Sequence, residues 1–190
     1  MLDIALIREK PDWVKEQIKK LNDESALARI DKIVELDEQR REIRTRTETA
    51  QASRNKLNKA MGKLRGNKKM DEAEKTTRAI QATAAIEADN YDHASEIMDG
   101  TLKVDPYEEY DTKNAFDNLI AELKAMGTKI DSGFEDIKQI EAELDEHMYW
   151  IPNLPHESVP VFDHEEHNIP HEPQGTFREF DFEPKPHWEI

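Results

Sequence analysis

The sequence predicts an all-α protein built on a long antiparallel coiled-coil helical hairpin, with a short N-terminal helix, an inserted helix near the tip and an extended C-terminal tail. Three observations lead there: two long heptad patterns in one chain, a composition poor in apolar residues, and a proline-punctuated run after the second pattern. Charged residues make up 36% of the 190 positions and hydrophobic residues another 36%. That is too little for a large globular core but enough for a packed seam between helices. Mean hydropathy is -0.90, as expected of helices solvated over most of their surface.

Lys10-Pro11-Asp12 opens a first helix, since proline is tolerated in a first turn, and Val14, Ile18 and Leu21 recur at helical spacing until Asn22-Asp23. A second helix is expected to begin near Ala26 or Leu27. Along it Ile33, Leu36, Arg40, Ile43, Thr47, Ala50, Arg54, Leu57, Met61 and Leu64 alternate steps of three and four, which is an a/d seam. Arg40, Thr47, Ala50 and Arg54 sit where leucine would pack better, so the partner has to accommodate them. That partner lies later in the chain: Phe116, Leu119, Leu123, Met126, Ile130, Gly133, Ile137, Ile140, Leu144, His147 and Ile151 step by the same intervals. Two matched seams imply a hairpin, whose first arm of about thirty-two residues would project roughly 48 Å at 1.5 Å per residue.

Between the arms, Gly62 and Gly66 weaken the first helix and Asp71-x-x-Glu74 offers a capping box for a new one. Ala73, Thr77, Ile80, Ala84, Glu87, Tyr91, Ala94 and Met98 continue a heptad-like spacing, but out of phase with the first seam. The pattern therefore predicts one separate helix over 71–99, stopped at Asp99-Gly100. An acidic turn, Asp105-Pro106-Tyr107-Glu108-Glu109, follows, and the return arm is expected to begin near Asp111. After Ile151 the chain has no helical period. The domain reading is an arm over 1–151, with an insertion at about 70–112, and a Pro/His/Glu-rich linker over 152–190. Within the linker, Phe177, Phe180 and Phe182 lie near charged residues in partial alternation, consistent with a short strand set against a missing body.

Cysteine is absent, excluding disulfides, thiolate metal sites and cysteine nucleophiles, and the expected compartment is cytoplasmic. Asp3, Glu9, Asp12 and Glu16 interrupt the first twenty residues, so neither a signal peptide nor a membrane span is expected there. The formal net charge of -15 argues against indiscriminate nucleic-acid binding. Charge is distributed unevenly, however. From Glu38 to Lys69 eleven basic residues face three acidic ones, whereas from Phe134 to Ile190 fifteen acidic residues face three basic ones.

The basic island carries the clearest chemistry. Arg41, Arg44, Arg46, Lys56, Lys59, Lys63 and Arg65 lie off the seam, where a rigid rod can present them to the phosphates of a structured RNA. An ordinary solvated helix face is the competing reading. Seam arginines such as Arg40 and Arg54 are also accounted for by register or by pairing with acidic residues of the return arm. His164-x-x-His167-x-x-x-His171 has metal-like spacing only on a helix, and Pro160, Pro170 and Pro173 argue against one, so an exposed linker is the preferred reading. No Gly-rich phosphate loop, Ser-centred elbow or HExxH motif is present, and no catalytic residue is assigned.

Three segments together resemble the amino-terminal part of seryl-tRNA synthetases. They are Met1-Leu2-Asp3-Ile4 with Leu6-Ile7-Arg8-Glu9, the run Ile151-Pro152-Asn153-Leu154-Pro155-His156-Glu157-Ser158-Val159-Pro160-Val161, and Arg178-Glu179-Phe180-Asp181-Phe182-Glu183-Pro184-Lys185 with His187-Trp188-Glu189-Ile190. The resemblance implies a coiled-coil arm that reaches from a class II catalytic domain and holds the long variable arm and elbow of serine tRNA. It also implies a homodimeric parent in which one subunit's arm presents tRNA to the other's active site, using ATP and Mg2+ to activate serine. Ala52 to Gly62 is similar to the family's segment near the tip, which makes Arg54, Asn55, Lys56, Lys59 and Lys63 expected tRNA contacts; Arg44 and Arg65 join them from the basic island. The family's helices usually meet in a short turn, so the insertion is a departure. The chain ends where the catalytic domain would begin; it is expected to lack the motifs that bind ATP and serine, to need no cofactor and not to act as an enzyme by itself. The alternative reading is a free-standing coiled-coil scaffold that binds a protein partner.

Overall fold

A computed structural model of the chain describes residues 2–104, 114–162, 164–172, 174–176 and 178–189. It divides into two compact units, Met1–Leu154 and Pro155–Ile190. Among the described residues the first unit has α1 (Ile4–Glu9), α2 (Pro11–Lys19), α3 (Glu24–Gly66), α4 (Glu72–Glu87), α5 (Tyr91–Asp99) and α6 (Ala115–Tyr149).

The hairpin is α3 against α6. At 43 residues, α3 is longer than the seam requires and spans about 65 Å. It starts at Glu24 rather than near Ala26, because the Asp23 side chain accepts the Ala26 N–H at 3.0 Å and caps it there. Gly62 does not interrupt it. The arms are antiparallel: Arg54 meets Leu123, Arg44 meets Glu141 and Arg29 meets His147. Of the two seams, Ile33, Leu36, Thr47, Leu57 and Leu64 are buried on α3, and Leu119, Leu123, Met126, Ile130, Gly133, Ile137 and Leu144 on α6.

The awkward seam residues find small partners. A Cβ on Gly133 would lie 3.2 Å from Thr47 Cγ2 and closer still to its hydroxyl, and one on Gly127 would lie 2.7 Å from the Arg54 guanidinium. Each glycine on α6 is thus a socket for an oversized or polar side chain on α3.

Two apolar cores flank this waist. At the base, Ile7, Val14, Ile18, Ile30, Ile33 and Leu36 pack with Leu144, Met148 and Ile151. Helix α1 had no expectation of its own. Asp3 caps it by accepting the Ala5 N–H at 2.8 Å, and Arg8 ties it to α3 through a bidentate contact with buried Asp37 at 2.6 and 3.1 Å. Arg40 at 2.8 Å and Arg41 at 3.2 Å complete a cage of three guanidinium groups around one carboxylate.

Burial pushes the Asp37 carboxyl up, but the Arg8 hydrogen bond and the Arg8 and Arg40 charges outweigh it and hold the group below its ordinary 3.8. A depressed folded-state value contributes stability above the unfolded value and loses it as pH falls through the folded one. Thermal unfolding followed by circular dichroism should therefore weaken below about pH 4, and Asp37→Asn should cost about 2–3 kcal/mol at neutral pH and flatten that acid limb.

The tip differs from the single inserted helix that the spacing predicts. The chain turns at Ala88-Asp89-Asn90, with Asp89 left-handed at φ 56°, and Asn90 caps a second helix by accepting the His93 N–H. The buried face of α4 is Arg78, Ala79, Ala82, Ala85 and Ile86, not the expected Ala73, Thr77, Ile80, Ala84 and Glu87. Six alanines between 73 and 88 leave the apolar phase nearly undetermined, and packing decides it. Helices α4 and α5 close a four-helix core with Leu57, Ala60 and Leu64 of α3 and Leu119, Leu123, Met126 and Ile130 of α6. Asp71 accepts the Glu74 N–H at 2.7 Å, one half of the expected capping box, while the Glu74 carboxylate accepts from Arg78, and left-handed Gly100 ends α5 at φ 86°. The acidic turn at 105–109 and the start of the return arm at Asp111 lie outside the described residues.

The second unit holds two 3-10 turns, Glu165–His167 and His187–Glu189. No strand forms among its described residues, so the expected one near Phe180 and Phe182 is absent; Phe177 lies outside them. The Phe180 and Phe182 rings pack on each other at 5.2 Å, which alternation on a flat strand does not require.

Candidate nucleic-acid interface

The distal half of α3 sorts the expected contact residues by direction. Asn55, Lys59 and Lys63 recur every fourth residue and form one exposed ridge. Gly62 and Gly66 have open space where a side chain would stand, so a partner's backbone can approach closely along the same side. Among the described residues, Lys59 and Lys63 form no ion pair with a carboxylate.

The other positions are committed to the protein. Lys56 turns toward α5 and donates to Asp92 at 2.7 Å. That bond raises the Lys56 pKa against the opposing effect of burial, with help from the Asp92, Glu96 and Asp99 charges. Arg65 leans toward α6, its guanidinium 5.3 Å from the centre of the Phe116 ring. Arg54 points into the hairpin, where Nε donates to the Leu123 carbonyl at 3.1 Å over Gly127. Arg44 reaches across the stem to Glu141 at 2.7 Å, and Arg40 reaches the same carboxylate at 3.5 Å.

Where the turn between α4 and α5 meets the stem, Arg46, Thr49, Ser53, Asp89 and Tyr91 line an open groove of about 840 Å3. The Tyr91 hydroxyl donates to Asp89 at 2.6 Å. This bond, with burial second, pushes its pKa up to about 12. At neutral pH it is a hydrogen-bond donor and not an acid-base group.

Sequence reasoning missed the carboxylate row Asp92, Glu96 and Asp99. Their spacing of four and three puts them on one side of α5, and the signal was available once Asn90 is read as a cap. Lys63 and Lys56 help to hold the Asp99 pKa down, after the hydrogen bond from Thr101 that dominates. In the second unit His164 and His167 have ring centres 6.3 Å apart. Among the described residues no three His, Asp or Glu side chains are grouped to hold a metal ion, and no helix is long and apolar enough to cross a membrane.

Residues 1–102 match the family of the seryl-tRNA synthetase N-terminal domain, a span running from α1 through both inserted helices. A curated relative, the serine--tRNA ligase of Staphylococcus haemolyticus (strain JCSC1435), is 29% identical over 190 residues, covering 100% of this chain and 33% of that protein. The chain thus spans about a third of the length of that relative.

Proposed function

The chain belongs to the seryl-tRNA synthetase N-terminal domain family, and from that premise we propose that it is the tRNA-binding arm of a serine-tRNA ligase. Its role is to hold the long variable arm and elbow of serine tRNA while a catalytic domain outside this chain aminoacylates the tRNA. The observation that carries this reading is the solvent-facing ridge of Asn55, Lys59 and Lys63 on the distal part of α3, which the core shared with α4, α5 and α6 holds in place. Lysine ammonium groups at this spacing suit backbone phosphates, and the asparagine suits 2'-hydroxyls.

ATP and Mg2+ belong in this reading to the catalytic domain of a cytoplasmic, homodimeric parent. The exposed side chains of Val159, Val161, Ile169, Phe182 and Trp188 in the second unit give apolar surface for packing against such a body. The scaffold alternative lacks an apolar stripe on the outer face of α3, which is polar along the ridge.

Filter binding with serine tRNA tests the assignment. Lys59→Ala and Lys63→Ala should each weaken binding and reduce the steepness of log affinity against log salt by about one unit. Arg54→Ala should act first on thermal stability. Lys59→Ala and Lys63→Ala variants that bind like the unsubstituted chain with an unchanged salt slope would remove the ridge from the interface.

A further inference from the structure

Helix α5 lies against the basic flank of α3 with its acidic side toward the lysines. Asp92 holds Lys56 at 2.7 Å, and the charges of Lys63 and Lys56 both act on Asp99. We propose that Asp92, Glu96 and Asp99 are specificity-determining residues: they stand in for RNA phosphates on the Lys56 flank, so that RNA gains affinity only by fitting the outward ridge of Asn55, Lys59 and Lys63. The tRNA part of this inference rests on the arm reading above; the screening of Lys56 does not.

Packing decides whether this row is a removable cover or a permanent one. Ala94, Ser95, Ile97 and Met98 bury the opposite side of α5 in the tip core. Buried Arg78 of α4 donates to the Ile97 carbonyl at 2.7 Å and to the Leu102 carbonyl at 2.9 Å, which fixes the end of the helix that carries Asp99. Swinging α5 away would expose that core, so the carboxylates stay in place when RNA arrives.

A permanent row of anions acts unequally on different RNAs. Non-specific binding comes from phosphate neutralisation and counterion release. A lysine already paired with a carboxylate releases few counterions, and the carboxylates repel any backbone laid along that flank. An RNA that fits the opposite side of the arm loses little. The insertion thereby lowers affinity for ill-fitting RNA more than for a fitting one, which is discrimination by repulsion as well as by attraction.

The test compares the chain with its Asp92→Asn/Asp99→Asn variant. Both side chains are on the surface and the substitutions are isosteric, so circular dichroism should show an unchanged fold. Binding to poly(U), which needs only a polyanion, should tighten about three- to ten-fold at low salt, and the salt slope should steepen by about one unit. Lys56→Ala should have little effect alone but cancel part of the gain in the Asn background, a coupling that a merely structural role would not produce. Serine tRNA should tighten less than a tRNA with a short variable arm, so that the ratio of the two affinities falls. Poly(U) binding with unchanged affinity and slope in the double variant overturns the screening, and an unchanged ratio overturns its role in specificity. If instead the unsubstituted chain does not distinguish serine tRNA from the short-armed one, the arm reading fails, while the poly(U) comparison still decides whether the carboxylates screen Lys56.

Discussion

Leu57→Asp should unfold the tip of the arm. Leu57 is fully buried at the point where α3 meets α4, α5 and α6 in one core. Truncating a leucine in such a place costs about 2–5 kcal/mol, and an unpaired carboxylate in the same apolar site adds several more or forces its protonation. The sum is comparable with the whole stability of an ordinary domain, roughly 5–15 kcal/mol. The base has its own core of Ile7, Ile18, Ile30 and Leu144, so the loss should be local in its first stage. Amide exchange should accelerate over 79–98 while protection persists near 7–36, and helicity by circular dichroism should fall at ambient temperature. Ile137→Asp, in the waist between the cores, should lower the melting temperature with a smaller loss of helix. Exposed Glu143→Gln should change neither. Unaltered melting of both seam variants would remove the two-seam account.

Arg78→Ala should be the most damaging substitution outside the apolar core. Its guanidinium is buried and spends every arm of its fork: Nε and Nη2 on Glu74 at 3.0 and 2.7 Å, Nη1 on the Ile97 and Leu102 carbonyls. Alanine would leave two carbonyls without a donor and one carboxylate without a counter-charge. Glu74 is partly solvated and recovers some of its loss from water, so the expected cost is about 2–4 kcal/mol. Arg78→Lys should rescue little, because one ammonium cannot serve both sides of the planar fork. Thermal melts and amide exchange of α5 measure the effect. Because α5 carries the acidic row, a loosened α5 should also raise poly(U) binding. A variant that melts like the unsubstituted chain would show that apolar packing alone holds the insertion.

The hairpin was legible in the sequence because its two seams are long, and few structures other than a packed helical pair sustain a three-four alternation over so many turns. The misfits Thr47 and Arg54 called for a partner able to accommodate them, and the structure supplies it as Gly133 and Gly127. The phase of α4 was not legible, since alanine lies on every side of that helix and carries little directional signal. Helix α1 is six residues long, too short for any period to register. Asp37 and Arg78 escaped notice for another reason. A charged residue reads as solvent-facing until its partner is known, and their partners lie on other elements. The outward placing of Lys59 and Lys63 followed from the seam by subtraction, whereas Asn55 entered only through the family resemblance. The pairing of Lys56 with Asp92 did not, because it depends on where an insertion folds back.

The glycine sockets also make the arm an instrument of fixed length. Sliding α6 by one heptad would bring Met126 or Ile140 against Thr47 and Ile120 or Phe134 against Arg54, so both sockets would be blocked in the same movement. The two arms therefore engage at a single notch, and the span from Asp37, clamped at the base, to Lys59 on the ridge is set at about 33 Å by the count of helical residues between them. Removing one heptad from each arm within that span would draw the ridge about 10 Å closer to the base, a change of caliper setting made without touching a residue of the ridge itself.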